Sequence, residues 1–388
     1  MNALQLFTRT FHRKPERIVR CPARVELLGN HTDYNLGLVL AACVDLRMEL
    51  AWAPRTDGRV AAVSGSPDNR AAFRLSTNLK PTALAPWSDF IKGMVAEAGV
   101  EGIQTRGFDI AITSTIPQGG GLSSSAALLL STGIALLGEV PKSASARLKL
   151  ARWCQRVENR FMGVQCGLLD YLAILHGTAG RITQLDFKSL RVTTVPWPRD
   201  CLLVLADSGV RHRLSGGGYN AISDACIHAA RHLQVPSLRD TSLAAVERTR
   251  NAGSLGQREV EVARHVIREN LRVRKALRSL KRADAARVVG ACMHASHESS
   301  RDALRNSCDE LDVLVGIAMS APDASPPIRC FGSRLTGGGF GGMTVSLVHQ
   351  DDAPRFRQWM RAGWRRETGV VLPLLQCRST AGPTVRTL

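Results

Sequence analysis

The chain has 388 residues, 44% of them apolar and 22% charged, the balance of a globular protein in water, and no apolar run is long enough to span a bilayer. Ten cysteines are scattered from Cys21 to Cys377 with no CxxC, which argues against a disulfide scaffold or a zinc site and fits reduced thiols in the cytoplasm. A net charge of +18 permits non-specific attraction to polyanions, but it rests on arginines spread along the whole chain, aromatics are only 5%, and no nucleic-acid motif appears, so no specific nucleic-acid partner is expected.

The length exceeds that of one hydrophobic core and predicts two domains sharing a cleft. The N-terminal "MNALQLFTRTFHRKPERIVR" carries basic residues after its short apolar stretch and lacks the small-residue cleavage site of a secretory signal. Residues 18–52 read as two apolar strands around a polar turn in which Asn30, His31, Thr32, Asp33 and Tyr34 stand between Gly29 and Gly37. Such a tip is either hairpin turn chemistry or a set of donors and acceptors for a polyhydroxylated ligand. Residues 55–82 predict further antiparallel strands, and "APWSDFIKGMVAEAG" predicts a helix entered at Trp87, a core anchor or an adenine-stacking ring.

Phe108, Ile110 and Ile112 alternate with polar or small residues as in a half-buried strand, and the loop "IPQGGGLSSSAALLL" follows. Three glycines, free to adopt positive φ, lead into serines placed to cap a helix, so successive N–H groups and the helix dipole converge on one anion. The absence of any Gly-Lys pair excludes a Walker loop, and no HRD or DFG segment marks a protein kinase. Three serines where one cap suffices suggest a hydroxyl for Mg²⁺ beside a phosphate. A helix over residues 144–161 carries Glu158, a solvated acid or a metal ligand. Asp170 lies in the apolar run "CGLLDYLAIL", either as a helix cap or as an acid in a cleft.

A strand over residues 201–206 precedes the glycine-rich "DSGVRHRLSGGGYN", near which a domain boundary is expected. Val262, Val266, Val273, Leu277 and Leu280 then form a helical stripe with arginines outside it, expected to be solvated. A further glycine cluster precedes a strand in "SRLTGGGFGGMTVSLVHQ", and "PRFRQWMRAGWRRETG" reads as a last amphipathic helix.

Three stretches together, "ARVELLGNHTDYNLGLVL", "GGGLSSSAALLL" and "GSRLTGGGFGGMTVSLV", resemble the sugar signature, phosphate loop and third glycine motif of the galactokinase family of GHMP small-molecule kinases. "SHESSRDALRNSCDELD" and "CGLLDYL" extend the likeness over essentially the whole chain. The resemblance implies an α+β fold of two domains, N-terminal ribosomal-S5-like over 1–200 and C-terminal ferredoxin-like over 201–388, with the site between them. It implies an enzyme that uses ATP and Mg²⁺ to phosphorylate C1 of galactose or a close relative. A cytoplasmic location and no membrane partner are expected, and the sequence leaves the oligomeric state open, with a monomer favoured. By position the resemblance implies Asp170 as catalytic base with Arg24 beside it, and Ser125 and Glu158 as Mg²⁺ ligands. Asn30, His31, Asp33, Gly167 and Tyr219 fall at sugar-contacting positions. Gly119, Gly120, Gly121, Leu122, Ser123, Ser124 and Ser125 form the phosphate loop, with Trp87 near adenine.

The sequence departs from the family pattern at Ala23, Glu26, Asn30 and Tyr171, where glycine, asparagine, glutamate and glutamine are usual. Asn30 stands where the family contacts the C6 hydroxyl. A C6-modified sugar such as galacturonate is therefore a second candidate, and Asn30→Glu is expected to keep galactose activity while suppressing galacturonate. A sugar and ATP sensor without turnover, and a basic nucleic-acid binder, are the alternatives of other classes.

Overall fold

The structure, a computed structural model, describes residues 1–82, 86–211 and 218–388. The first three residues of the segment beginning at Pro81 that lie beyond Thr82, and residues 212–217 of the glycine-rich loop before Tyr219, lie outside the described residues.

Among the described residues twelve strands form two sheets. The larger contains β1 (Arg17–Leu28), β2 (Leu38–Pro54), β3 (Arg59–Ser64), β4 (Arg70–Arg74), β5 (Phe108–Ser114), β6 (Arg181–Asp186) and β7 (Arg191–Pro196). The smaller contains β8 (Cys201–Asp207), β9 (Cys330–Leu335), β10 (Met343–His349) and β11 (Leu374–Cys377), in the order β11-β8-β10-β9. The last strand, β12 (Thr384–Thr387), crosses back to pair with β1 in the larger sheet.

The helices in the first half are α1 (Ala3–Phe11), α2 (Trp87–Val100), α3 (Ser124–Leu137), α4 (Ala144–Arg156) and α5 (Leu169–Leu175). Those in the second half are α6 (Gly218–His232), α7 (Leu243–Asn251), α8 (Gln257–Ser279), α9 (Ala285–Ser299), α10 (Asp309–Met319) and α11 (Ala353–Thr368). Among the described residues no helix is long and apolar enough to cross a membrane.

The two apolar strands expected around the polar tip are β1 and β2, paired antiparallel. Strand β2 is 17 residues long and serves three neighbours, because its outer half pairs with β5 and its inner end with β6. The expected antiparallel pair after it is β3 and β4, although β3 joins the sheet through a parallel edge with β5. Helices α2 to α5 cover one face of this sheet, where Leu50, Ile91, Met94, Phe108, Leu129 and Tyr171 are buried in one core. A second core between the smaller sheet, α10 and α11 holds Phe356, Met360 and Trp364.

Two features of these elements aim side chains at the cleft. Alternation along β1 puts Arg24 and Glu26 on one face, and a register shift between Glu26 and Leu28 bends the strand just before the polar tip. The helices α4 and α9 each run on into a π-turn, Val157–Phe161 and Ser300–Leu304, which bring Glu158 and Ser300 inward.

The arginines flanking the apolar stripe of α8 are not uniformly solvated. Arg272 pairs with the buried Glu269 at 2.6 Å, Arg264 pairs with Glu247, and Arg258 donates to the Ala303 and Leu304 carbonyls at 2.5 and 2.7 Å. Helix α8 packs against α6, α7, α9 and β2, while Arg268, Arg274 and Arg278 on its outer side are exposed as expected.

Candidate active site

The polar tip between β1 and β2 is a closed loop. Gly29 has φ of 107°, and a Cβ there would lie 2.6 Å from the Leu38 carbonyl oxygen, so glycine alone fits. The Thr32 hydroxyl bridges the Gly29 and Leu38 carbonyls at 2.8 and 2.9 Å. His31, at φ of 57°, accepts at Nδ1 from the Tyr34 hydroxyl at 2.7 Å and directs Nε2 at the Gly338 carbonyl, which fixes the proton on Nε2. Burial pushes the His31 imidazole down to about 3, so it is neutral at ordinary pH. Its ring meets Tyr219, the second residue of α6, at a centroid distance of 5.0 Å.

Asp33 follows in a short 3-10 turn and faces Gly167 so closely that a Cβ on that glycine would fall 2.2 Å from Asp33 Oδ2. Burial pushes the Asp33 carboxyl up to about 7, and the negative charges of Glu26 and Asp170 add to the shift.

Asp170 stands in the first turn of α5 and is held from two sides. Arg24, itself buried, places Nε and Nη2 at 2.8 and 2.6 Å from Oδ1 and Nη1 at 2.6 Å from the Gly121 carbonyl. The Ser123 hydroxyl donates to Oδ2 at 2.5 Å. The sequence places Ser123 among the serines that cap α3; it occupies the cap position, but its φ of 61° turns the side chain away from the helix N–H groups and onto Asp170. One arginine thus ties the acid to the backbone of the glycine loop.

That loop is left-handed at Gly119, Gly121 and Ser123, and Ser124 opens α3. It abuts the glycine run after β9, since a Cβ on Gly121 would lie 2.8 Å from the Thr336 carbonyl oxygen. Gly119, Gly121, Leu122, Ser123, Ser124 and Ser125 line one cleft of about 540 Å³, together with Trp87, Phe90, Ile112 and Gly337 to Gly342. Gly120 lies beneath it against Met343. Trp87 sits at the mouth and donates Nε1 to Asn69 at 3.1 Å.

A second cleft of about 470 Å³ is lined by Arg24, Glu26, Asn30, His31, Asp33, Ser125, Glu158, Gly167, Asp170 and Tyr219. The two clefts share Arg24, Ser125, Asp170, Tyr219, Gly337 and Gly338, so Asp170 stands at their junction. Both volumes lie in the range of small-molecule sites.

Glu158 is buried near Ser125, with which it hydrogen-bonds, and its carboxylate also takes the Tyr171 hydroxyl. Burial pushes its pKa up, and among the described residues no cationic side chain pairs with it. An uncompensated buried carboxylate next to a hydroxyl is a hard-oxygen donor set, which suits Mg²⁺.

Asn30 lines this second cleft but has no hydrogen-bonding capacity left. Its Nδ2 donates to Glu26 Oε1 at 3.2 Å and to the Gly337 carbonyl at 2.9 Å. Its Oδ1 accepts from Ser300 at 3.2 Å and Asn306 at 3.1 Å. An amide offers two donors and two acceptor positions, and all four are taken.

Beneath this loop lies a set of residues absent from the sequence expectations. Glu269 Oε1 accepts from the N–H groups of Gly29 and Asn30 at 2.8 and 3.3 Å and from Ser296 at 2.7 Å. The Asn30 carbonyl accepts from His265 at 3.0 Å, and Asn270 receives the Leu38 N–H at 2.9 Å. Burial works to raise the Glu269 carboxyl, but Arg272, His265, Arg334 and the Gly29 N–H together outweigh it and hold the group down at about 2. The signal in the sequence was the spacing: His265, Glu269 and Asn270 fall three or four residues from Val262, Val266 and Val273, on the buried side of α8.

Family models match along the chain: a galactokinase galactose-binding signature over residues 5–54, a GHMP kinase N-terminal domain over 89–178 and a GHMP kinase C-terminal domain over 288–366. A galactokinase of Bos taurus is 39% identical over 92% of this chain and 90% of its own. The chain belongs to the galactokinase family. Other galactokinases agree, that of Chloroflexus aggregans at 37% identity over 97% of this chain and 95% of its own, and that of Homo sapiens at 38% over 91% and 88%. A crystal structure of Lactococcus lactis galactokinase complexed with galactose superimposes with a TM-score of 0.88 at 28% identity, covering 98% of both chains. The mevalonate kinase of Methanococcus jannaschii, at 16% identity and a TM-score of 0.65 over 95% of this chain and 99% of its own, shares the fold. The α+β GHMP kinase fold and the sugar-kinase class expected from the motifs are those of the chain.

Proposed function

We infer that the protein transfers the γ-phosphoryl group of ATP to the C1 hydroxyl of galactose, with the roles below. The observation that carries this reading is the position of Asp170, shared between a glycine-loop cleft and a polar cleft and fixed by Arg24. ATP occupies the first cleft with its phosphates against the N–H groups of Gly119 to Ser124 and its base toward Trp87 and Phe90. Galactose occupies the second, against Asp33, His31, Gly167 and Tyr219. Asp170 accepts the proton of the C1 hydroxyl as that oxygen bonds to the γ-phosphorus and the bond to the ADP oxygen breaks. Arg24 orients Asp170 and links it to the Gly121 carbonyl, so the base and the phosphate loop keep one geometry.

Ser125 and Glu158 would hold Mg²⁺, which when bound neutralises charge on the phosphate oxygens. The two halves, 1–200 and 201–388, supply opposite walls, and because one chain completes both clefts a cytoplasmic monomer suffices for the activity. A C6 carboxylate is disfavoured as acceptor, because Glu26, Asp33 and Asp170 already crowd the sugar-side cleft with acids. The test is galactose-dependent release of ADP from ATP, which a sensor without turnover would lack.

Two further outcomes are expected. Ser125→Ala and Glu158→Ala each remove one oxygen donor, so the Mg²⁺ concentration for half-maximal rate should rise in both while the KM for galactose stays the same. Unchanged Mg²⁺ curves in both variants would dismiss the assignment. Asp33 is protonated below about 7 and an acceptor-only carboxylate above it. The KM for galactose should therefore fall as pH rises through about 7. In Asp33→Asn the KM should be higher and flat over that interval, and a dependence that survived the substitution would belong to another group.

A further inference from the structure

The inner wall of the sugar-side cleft contains an acid that neither the family signature nor the assigned roles account for. Glu26 projects from β1 on the same face as Arg24 and lines that cleft. Its Oε1 is fixed by two donors, Asn30 Nδ2 at 3.2 Å and Arg334 Nη1 at 3.1 Å. Arg334, on β9, is fully buried, and its other anchor is the Leu27 carbonyl at 3.2 Å. Among the described residues Oε2 of Glu26 receives no hydrogen bond, and it is not sealed from solvent as a buried orphan would be. Both residues are buried, Glu26 at 3% and Asn30 at 1% exposure, but only Asn30 is fully engaged.

We propose that Glu26 is a specificity-determining residue of this enzyme, its free Oε2 accepting a hydrogen bond from a ring or exocyclic hydroxyl of the sugar, while Asn30 and Arg334 position it. The geometry separates the two neighbours: Asn30 has four partners and nothing left to offer a ligand, whereas Glu26 has one oxygen locked and one open to the cleft. Two donors on the same oxygen fix the carboxylate plane, and a preoriented acceptor in a cleft is what discriminates one hydroxyl pattern from another. Arg334 reaches Glu26 from the smaller sheet, so the acceptor is set only when both halves of the chain are in place.

This rests on galactose binding in that cleft, and the experiment keeps the two apart. Wild-type enzyme and Glu26→Gln are compared on galactose and on each monodeoxygalactose that keeps its anomeric hydroxyl. The expected result is a KM for galactose at least about tenfold higher in Glu26→Gln, because an amide that keeps its oxygen on Arg334 and Asn30 presents a donor where Oε2 accepted. The KM for ATP and kcat should be unchanged. For one monodeoxygalactose the two enzymes should have equal KM, identifying the hydroxyl that Glu26 reads. An equal penalty on every analogue, or no penalty on galactose, would make Glu26 a purely structural partner of Arg334 and overturn the proposal. Should Glu26→Gln fail to fold because Arg334 is left buried and unpaired, Glu26→Gln/Arg334→Met removes that charge and the same comparison applies. Failure of the wild type to phosphorylate galactose would instead refute the reading of the whole cleft.

Discussion

Asp170→Asn should lower kcat by about 10²–10⁴-fold while nucleotide and galactose still bind. The substitution is close to isosteric, and the amide can direct its oxygen at Arg24 and donate to the Ser123 hydroxyl, so both contacts that fix the side chain survive. What it loses is the capacity to take the C1 proton. Because Arg24 also holds the Gly121 carbonyl, Arg24→Ala should disturb more than the base, raising the KM for ATP as well as lowering kcat. The pair of variants is read by steady-state kinetics with each substrate varied in turn. Wild-type turnover in Asp170→Asn would remove Asp170 from the reaction, and an unchanged KM for ATP in Arg24→Ala would show that its loop contact is dispensable.

The second large effect concerns Asn30→Glu, and here the structure reverses what the sequence predicts. Reading position 30 as a contact to C6 leads one to expect that glutamate preserves galactose activity. In the folded chain a glutamate there would lose the donor to Glu26 and to the Gly337 carbonyl and would set a second carboxylate within contact of the first. A buried acid without a cation of its own costs at least about 3 kcal/mol when its neighbour is also an acid. Asn30→Glu should therefore lower the midpoint of thermal unfolding by several degrees and reduce activity on galactose and galacturonate alike. Thermal unfolding followed by circular dichroism, with rates on both sugars, checks this; a stable variant with intact galactose activity would return Asn30 to the role of a sugar contact.

Much of the fold was legible because it rests on local pattern. The alternation before the glycine loop, the paired apolar runs around the polar tip and the periodicity of α8 each report their own element, and β5, β1 with β2, and α8 follow. Arg24, Asp33, Gly167, Asp170 and Tyr219, singled out in the sequence, line one cleft. What remained hidden depends on residues far apart in the chain. Glu269 and His265 brace the Gly29 to Asn30 turn from more than 230 residues away, and Arg334 meets Glu26 across an even longer separation. A carboxylate on the apolar side of a helix was the visible trace of the first; nothing local marks the second, because a strand arginine between a serine and a leucine looks the same whether buried or exposed. Ser123 stands at the cap position of α3 without capping through its side chain, because the capping preference of serine says nothing about the left-handed φ that the glycine turn imposes on it.

On the proposed mechanism Asp170, at the meeting of the two clefts, takes the proton of the anomeric hydroxyl of galactose while that oxygen receives the γ-phosphoryl group of ATP. Phosphorus and proton nuclear magnetic resonance of the product formed from ATP and galactose tests it most directly. The expected product is a single sugar phosphate whose phosphorus couples to the anomeric proton, formed in step with ADP. Phosphate on any other carbon, or ADP formed with the sugar unmodified, would contradict it.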